Sequence, residues 1–458
     1  MKKREFNPWW VVMGLFVILM TILAVVLNFN YNNAALTADA IDIDNGDAKI
    51  NWANYPSYDV VLDGDYNITA PGTYYISGAT DDGGIFVRLN DNGVAKLVLQ
   101  DVSIKNSDGP AIACFSGDDL VIELEGANNI EDGSFYKGYD EDVKGAIYSK
   151  ADLTFQGSGS LALVANYQDG IVSKDDLKIN GGFYNITSND DGIRGKDSVY
   201  VVDGDIDISA KGDGIKSTNE KDLSKGFILI AGGNINVAKS SEGMEARLVI
   251  IDDGKVSIFA NDDGINAAGD SSDTTTGREM MDVNENAAIT INGGELYVNA
   301  AGDGLDSNGY IYINGGILTV DGPTNSGNGA LDAAGGIVMN GGEAVAVGAS
   351  GMTENLGSNS NVYNVSIFFT SAYTKDTLIE IKDTDGNTLI SHNSAKTFSH
   401  MAAGTPKFMA GETYIVYIDG KEYDRFTVIE RVTTVGSGGY NTPGGNTPPA
   451  GMPPGRGR

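Results

Sequence analysis

Residues 169–219 read DGIVSKDDLKINGGFYNITSNDDGIRGKDSVYVVDGDIDISAKGDGIKSTN. An acid-glycine signature opens each unit, at Asp169, Asp191 and Asp213, and a glycine turn follows in mid-unit, NGG at Asn180 and VDG at Val202. The acid-glycine signature continues as EGMEARL at Glu242, DGINAAG at Asp263, DGLDSNG at Asp303 and NGALDAA at Asn328, giving spacings of 22, 22, 29, 21, 40 and 25 residues. The turn signature keeps pace, with AGG at Ala231, DDG at Asp252 and NGG at Asn292, Asn314 and Asn340. The longer units carry their extra residues between the two signatures, after Asn219 and in the polar segment 269–285, so these insertions form loops on one side.

Alternation identifies the elements as strands. Ile179, Val201, Ile230, Ile251, Ile291, Ile313 and Met339 align before the turn, each with an apolar residue two positions earlier. After the turn, Tyr184, Ile206, Ile235, Val256, Leu296 and Leu318 align in the same way. A unit of about 22 residues cannot bury such faces alone, so successive units must stack as coils of a parallel β-helix. Parallel crossovers are right-handed by default, and a propeller blade needs about 40 residues. The expected fold is therefore all-β, a right-handed parallel β-helix over 57–360. Segment 361–435 has longer strands and hairpin signals at Asp385-Gly386 and Asp419-Gly420, predicting a small C-terminal β cap.

Outside these regions, Lys2, Lys3 and Arg4 precede an uncharged run at 9–27, long enough to span about 30 Å of hydrocarbon. Residues 1–30 are thus expected to be a basic flank and transmembrane helix. The alternative is a cleaved signal peptide ending at the A-x-A of Ala38 and Ala40. The corresponding localisations are a single-pass cell-membrane protein with an extracytoplasmic domain, or a secreted one. Residues 31–56 read as a linker and 436–458, rich in Gly and Pro, as a disordered tail. Cys114, the single cysteine, lies in apolar AIACFS and reads as a buried small hydrophobe.

A net charge of -31 argues against nucleic acid as a partner and favours cations or neutral ligands. Stacking would place Asp169, Asp191, Asp213, Glu242, Asp263 and Asp303 in a row about 4.8 Å apart. Like charges at that spacing repel by about 3 to 4 kcal/mol at an effective dielectric near 20. Asp190, Asp262 and Asp306 add acid beside the row. Carboxylates and amide oxygens without histidine or thiolate form a hard-oxygen set suited to Ca²⁺. The metal candidates are therefore Asp169, Asp190, Asp191, Asp213, Asp262, Asp263, Asp303 and Asp306. The competing explanation is that each aspartate accepts backbone N–H bonds, with Arg194, Lys196 and Lys216 supplying the neutralising charge.

Lys174, Arg194, Lys196, Lys216 and Tyr200 are the candidates for polysaccharide contact. The same bases beside calcium could instead serve a pectate-lyase-like enzyme that abstracts a proton next to a uronate carboxyl group, and a third alternative is a purely structural surface or adhesion stalk. Phe183, Tyr200, Tyr297 and Tyr312 fall at outward positions where a ring could stack on a sugar. His392 and His400 lie in the cap region, away in sequence from the acid row.

The strings GTYYISG at Gly72, SDGPAI at Ser107, KGAIYSKADLTFQGSGSLAL at Lys144, those of 169–219 and GETYIVY at Gly411 resemble the bacterial carbohydrate-binding domain-containing proteins. The resemblance implies a polysaccharide-lyase-like β-helix and a non-catalytic, calcium-associated binder of cellulose-like or acidic plant glycans at the cell surface; separately, the chain is expected to be a monomer. It makes Asp190, Asp191, Asp213, Asp262 and Asp263 the strongest metal candidates. The chain departs from the family pattern in the insertion after Gly269 and in Glu242-Gly243-Met244.

Overall fold

The computed structural model describes residue 41 and residues 49–90, 92–268 and 283–437. The apolar run 9–27, nearly all of the insertion after Gly269 and the tail from 438 onward lie outside the described residues. Among the described residues no helix is long and apolar enough to cross a membrane.

Each coil contributes one strand to each of three parallel sheets. Asp176–Ile179, Ser198–Val201, Phe227–Ile230 and Leu248–Ile251 pair in register as sheet I. Phe183–Ser188, Asp205–Ser209, Asn234–Ser240 and Lys255–Ala260 pair as sheet II. The acid-glycine signature itself carries a third strand, as in Ile193–Gly195, Ile215–Ser217 and Met244–Ala246, which pair as sheet III. The alternating residues point inward, where Ile179, Val201, Ile186, Ile208, Ile193 and Ile215 merge into one continuous apolar core.

The two glycine positions serve different ends. In the turn between sheets I and II the glycine at the third position is left-handed, with φ of 102° at Gly182 and 96° at Gly254, which L residues rarely adopt. In the acid-glycine signature, coil-to-coil approach is the constraint. A Cβ on Gly192 would lie 2.5 Å from Ile208 Cγ2 and 2.6 Å from the Gly214 carbonyl oxygen. The turn between sheets I and II also stacks amides. Asn314 Nδ2 donates to Asn292 Oδ1 (2.8 Å), Asn340 to Asn314 (2.9 Å) and Asn361 to Asn340 (2.8 Å).

Backbone pairing corrects the expected alignment of the last unit. Leu331 pairs with Leu305, and the Gly304 N–H donates to the Gly329 carbonyl. Gly329, rather than Asn328, therefore occupies the acid's place and Ala330 the glycine's.

After Glu343–Gly348 antiparallel pairing enters, with Phe398–Gly404 laid against that strand and against Asn364–Tyr373, which also pairs in parallel with Val432–Val435. A separate four-stranded antiparallel sheet comprises Leu378–Asp383, Thr388–Asn393, Thr413–Ile418 and Lys421–Thr427. Phe369, Phe398, Ile381 and Val416 belong to a second apolar core between these layers.

Candidate metal and glycan site

The acid row lies at the edge of sheet III, at the first turn of each short strand. One carboxylate oxygen of each aspartate is used by the next coil. The Asp191 N–H donates to Asp169 Oδ1 (3.2 Å), the Asp213 N–H to Asp191 Oδ1 (2.9 Å) and the Glu242 N–H to Asp213 Oδ1 (3.1 Å). Further along, the Asp303 N–H donates to Asp263 Oδ1 (2.6 Å) and the Gly329 N–H to Asp303 Oδ1 (2.5 Å). Glu242 departs from this pattern. Its longer side chain accepts from Asn266 Nδ2 (3.2 Å), and its other oxygen is buried without a partner.

The second oxygens are compensated differently along the row, because the central, outward residue of each sheet III strand changes character. In register this position reads Tyr148, Val172, Arg194, Lys216, Glu245, Asn266, Asp306 and Asp332. Arg194 Nη1 lies 3.4 Å from Asp191 Oδ2 and 3.7 Å from Asp169 Oδ2. Lys216 Nζ lies 2.8 Å from Asp213 Oδ2 and also bonds Glu245. Past Asn266 the basic residues stop. Among the described residues no ion pair reaches Asp263, Asp303, Asp306, Asp332 or Glu354.

Three groups bring carboxylate oxygens within 4.8 Å of one another on this row: Asp169 with Asp190 and Asp191, Asp213 with Glu242 and Glu245, and Asp263 with Asp303 and Asp306. Burial and mutual repulsion raise the proton affinity of particular carboxyls among these and beside them. Asp169, fully buried, is pushed up to about 7 by desolvation and then by Asp191. Asp303 and Asp306 also reach about 7 through desolvation and the surrounding acids. Glu242 and Glu354 reach about 8 for the same reasons. Asp169 Oδ2 is buried with no hydrogen-bond partner. The donor set is oxygen throughout, so it suits a hard divalent cation.

A family model for carbohydrate-binding domain-containing proteins matches residues 62–329, which include the whole acid row. The chain belongs to the carbohydrate-binding domain-containing family. One relative in that family, from Acetivibrio thermocellus, is 42% identical over 222 residues, covering 47% of this chain and 77% of the relative. A solved structure described as the polysaccharide lyase-like protein from C. thermocellum, gadolinium derivative, is 27% identical and covers 55% of this chain and 95% of its own, with a TM-score of 0.42.

Within this family member the remaining predicted residues separate. Asp262, exposed, lies close enough to raise Asp263 and Asp303. Lys196 does not join the acid row. It faces Asp197 (3.5 Å) in the turn toward sheet I, because it lies beyond the end of its three-residue strand. Lys174 occupies the equivalent turn one coil earlier, and its proton affinity is lowered by burial, with Arg194, Lys144 and Lys196 adding repulsion and Asp142 opposing. Tyr200 is on sheet I under Lys178 Nζ, 5.8 Å from the ring centroid, on a different face from the row.

Glu245, Asp332 and Glu354 belong to the acid row's surroundings and were not singled out by sequence. Asp332 shares the place of Asp306 three residues after the row, a signal hidden by the one-residue slip at Gly329. His392, far from the row in sequence, bonds Asp321 Oδ1 (2.9 Å), and His400 bonds Ser366 Oγ (2.8 Å) inside the cap.

Proposed function

We propose that this protein is a non-catalytic, calcium-associated polysaccharide-binding protein of the cell surface, taking cellulose-like or acidic glycans. The observation that carries the calcium reading is the uncompensated half of the row, Asp263, Asp303 and Asp306, together with the buried Asp169 Oδ2, which accepts no hydrogen bond and has only Arg194 nearby. Divalent ions would replace the protons these groups hold and would offer open coordination positions to uronate carboxylates or sugar hydroxyls. Family membership and the name of the A. thermocellus relative support carbohydrate as the ligand class. Arg194 and Lys216, beside the row, are suited to orient an acidic sugar. The basic flank Lys2, Lys3 and Arg4 before the run 9–27 supports attachment to a membrane with the solenoid outside.

Retention of the protein on insoluble cellulose and on pectate, with and without EGTA, tests this reading. Retention on at least one glycan and release from pectate by EGTA are expected. No retention on any glycan sinks it.

A second reading, a uronan lyase, is favoured by one observation: the Lys174 ammonium is destabilised by burial and by neighbouring cations, as a general base requires. Ultraviolet absorbance of unsaturated product, abolished in Lys174→Ala, is its signature. Silence across several uronans disposes of it.

A further inference from the structure

The outward face of sheet II carries a site unlike the acid row. A cavity of about 260 Å³ is lined by Lys255, Ser257, Glu295, Tyr297, Ile317 and Thr319. Three adjacent coils supply these residues in register, Lys255 beside Glu295 beside Ile317, and Ser257 beside Tyr297 beside Thr319. Phe259 stands at the next outward position, 41% exposed, with its ring edge-on to Tyr297 at 5.7 Å. Ile317 is 47% exposed.

The Tyr297 ring is held in place from the cap. Its hydroxyl donates to Asp321 Oδ2 (2.9 Å), and Asp321 Oδ1 is bonded by His392 Nε2 (2.9 Å), Ser394 Oγ (3.2 Å) and the Ala395 N–H (3.2 Å). A ring anchored in this way loses little freedom when a ligand covers it. Exposed apolar surface ringed by hydroxyl, ammonium and carboxylate groups is the composition of a binding surface rather than of an ordinary solvated sheet.

We propose that this face is a second glycan-contact surface, selective for an uncharged pyranose chain and independent of metal. The proposal rests on the polysaccharide-binding reading above and adds a place and a selectivity to it. A pyranose presents apolar C–H faces that cover Tyr297, Phe259 and Ile317, and equatorial hydroxyls that meet Ser257, Thr319, Lys255 and Glu295. Charge decides the class of sugar. Lys255 and Glu295 balance one another, so the lining offers a uronan no net attraction, whereas the sheet III row is an excess of carboxylates suited to a cation and an acidic chain. Coils repeat every 4.8 Å or so along the solenoid, which sets successive hydroxyl partners in line for an extended chain.

The test uses the full chain with cellohexaose, insoluble cellulose and pectate, comparing wild type with Phe259→Ala and with Phe259→Ala/Tyr297→Ala. Phe259 is exposed, so its truncation leaves the fold intact, and a thermal melt verifies this for both variants. The expected result is wild-type cellohexaose binding that ignores EGTA, weakened about tenfold or more by the double substitution, with calcium-dependent pectate retention unchanged. Wild-type affinity for cellohexaose in both folded variants overturns the proposal. Pectate retention by a wild type that ignores cellohexaose also overturns it and leaves the broader reading standing. Failure to bind any glycan removes both.

Discussion

Calcium affinity should fall by up to about a hundredfold when the pH drops from about 8 to about 6, and the structure supplies the size of the effect. Asp303 and Asp306, in one cluster with Asp263, hold their protons up to about 7. At about pH 6 such a carboxyl is roughly nine-tenths protonated, and expelling its proton costs about 1.4 kcal/mol. Two groups at one site give at most about 3 kcal/mol, or up to roughly two decades in affinity, since the two carboxyls titrate together. Calorimetric titration with calcium, repeated in two buffers of different ionisation heat, measures both the affinity and the protons released. The metal-free protein should show the opposite trend with pH. For carboxyls raised above their unfolded values, the folded chain binds more protons between about pH 4 and about pH 7, so metal-free stability falls as pH rises through that window. Calcium should cancel that fall. A calcium affinity constant to within about threefold across this range, with no proton release, refutes the assignment of these carboxyls as ligands.

Three further outcomes follow from particular contacts. Lys216→Ala leaves Asp213 and Glu245 facing each other without their shared cation, and should cost about 1 to 3 kcal/mol in denaturant melts without metal, largely regained on adding calcium; no loss in EGTA sinks the account of that pair. Gly192→Ala forces a Cβ against Ile208 and the Gly214 carbonyl, and should destabilise by about 1 to 3 kcal/mol; an unchanged midpoint means the coils are not in that register. Asp321→Ala removes both oxygens, Oδ1 bonded by His392 and Ser394 and Oδ2 bonded by Tyr297, and should speed amide exchange in Thr388–Asn393 by about tenfold or more. His392 leads the interactions holding the Asp321 carboxyl below its ordinary value against the opposing effect of burial, so this contribution is present above the unfolded carboxyl value and lost as pH falls through the folded one.

Two of the three sheets were legible because their strands are long enough to alternate. Leu177 and Ile179, or Tyr184 and Ile186, declare an inward face within a single unit, and all four are buried in the solenoid core. Sheet III was hidden because Ile193–Gly195, Ile215–Ser217, Met244–Ala246 and Ile265–Ala267 each run for three residues, too short for a period of two to register. The same brevity explains Lys196, which sequence placed with Arg194. Two residues after Arg194, it has left the strand and turned toward sheet I, where Asp197 meets it. The slip at Gly329 was equally invisible, since only the pairing of Leu305 with Leu331 shows where the extra residue lies. Glu354 comes from a segment after the last repeat and had no repeat to announce it.

The acid row posed a choice between backbone acceptance and metal ligation; one carboxylate oxygen is committed to the backbone, and the other is the atom that the proposed calcium would take. Oδ1 of Asp169, Asp191 and Asp213 accepts the N–H of the following coil, which uses the acid structurally and accounts for aspartate rather than asparagine only in part, since an amide oxygen could accept that bond equally well. Oδ2 supplies the remainder. On the first coils it faces Arg194 and Lys216, whereas the later coils gather Asp303, Asp306, Asp332 and Glu354 near one another with no ion pair among the described residues, so that added negative charge there is a liability that a cation would relieve. Glu242 stands between these regimes. Its added methylene carries the carboxylate past the neighbouring N–H to Asn266 and strands one oxygen in the interior. Backbone hydrogen bonding leaves that oxygen without a partner, and the proposed calcium would supply one.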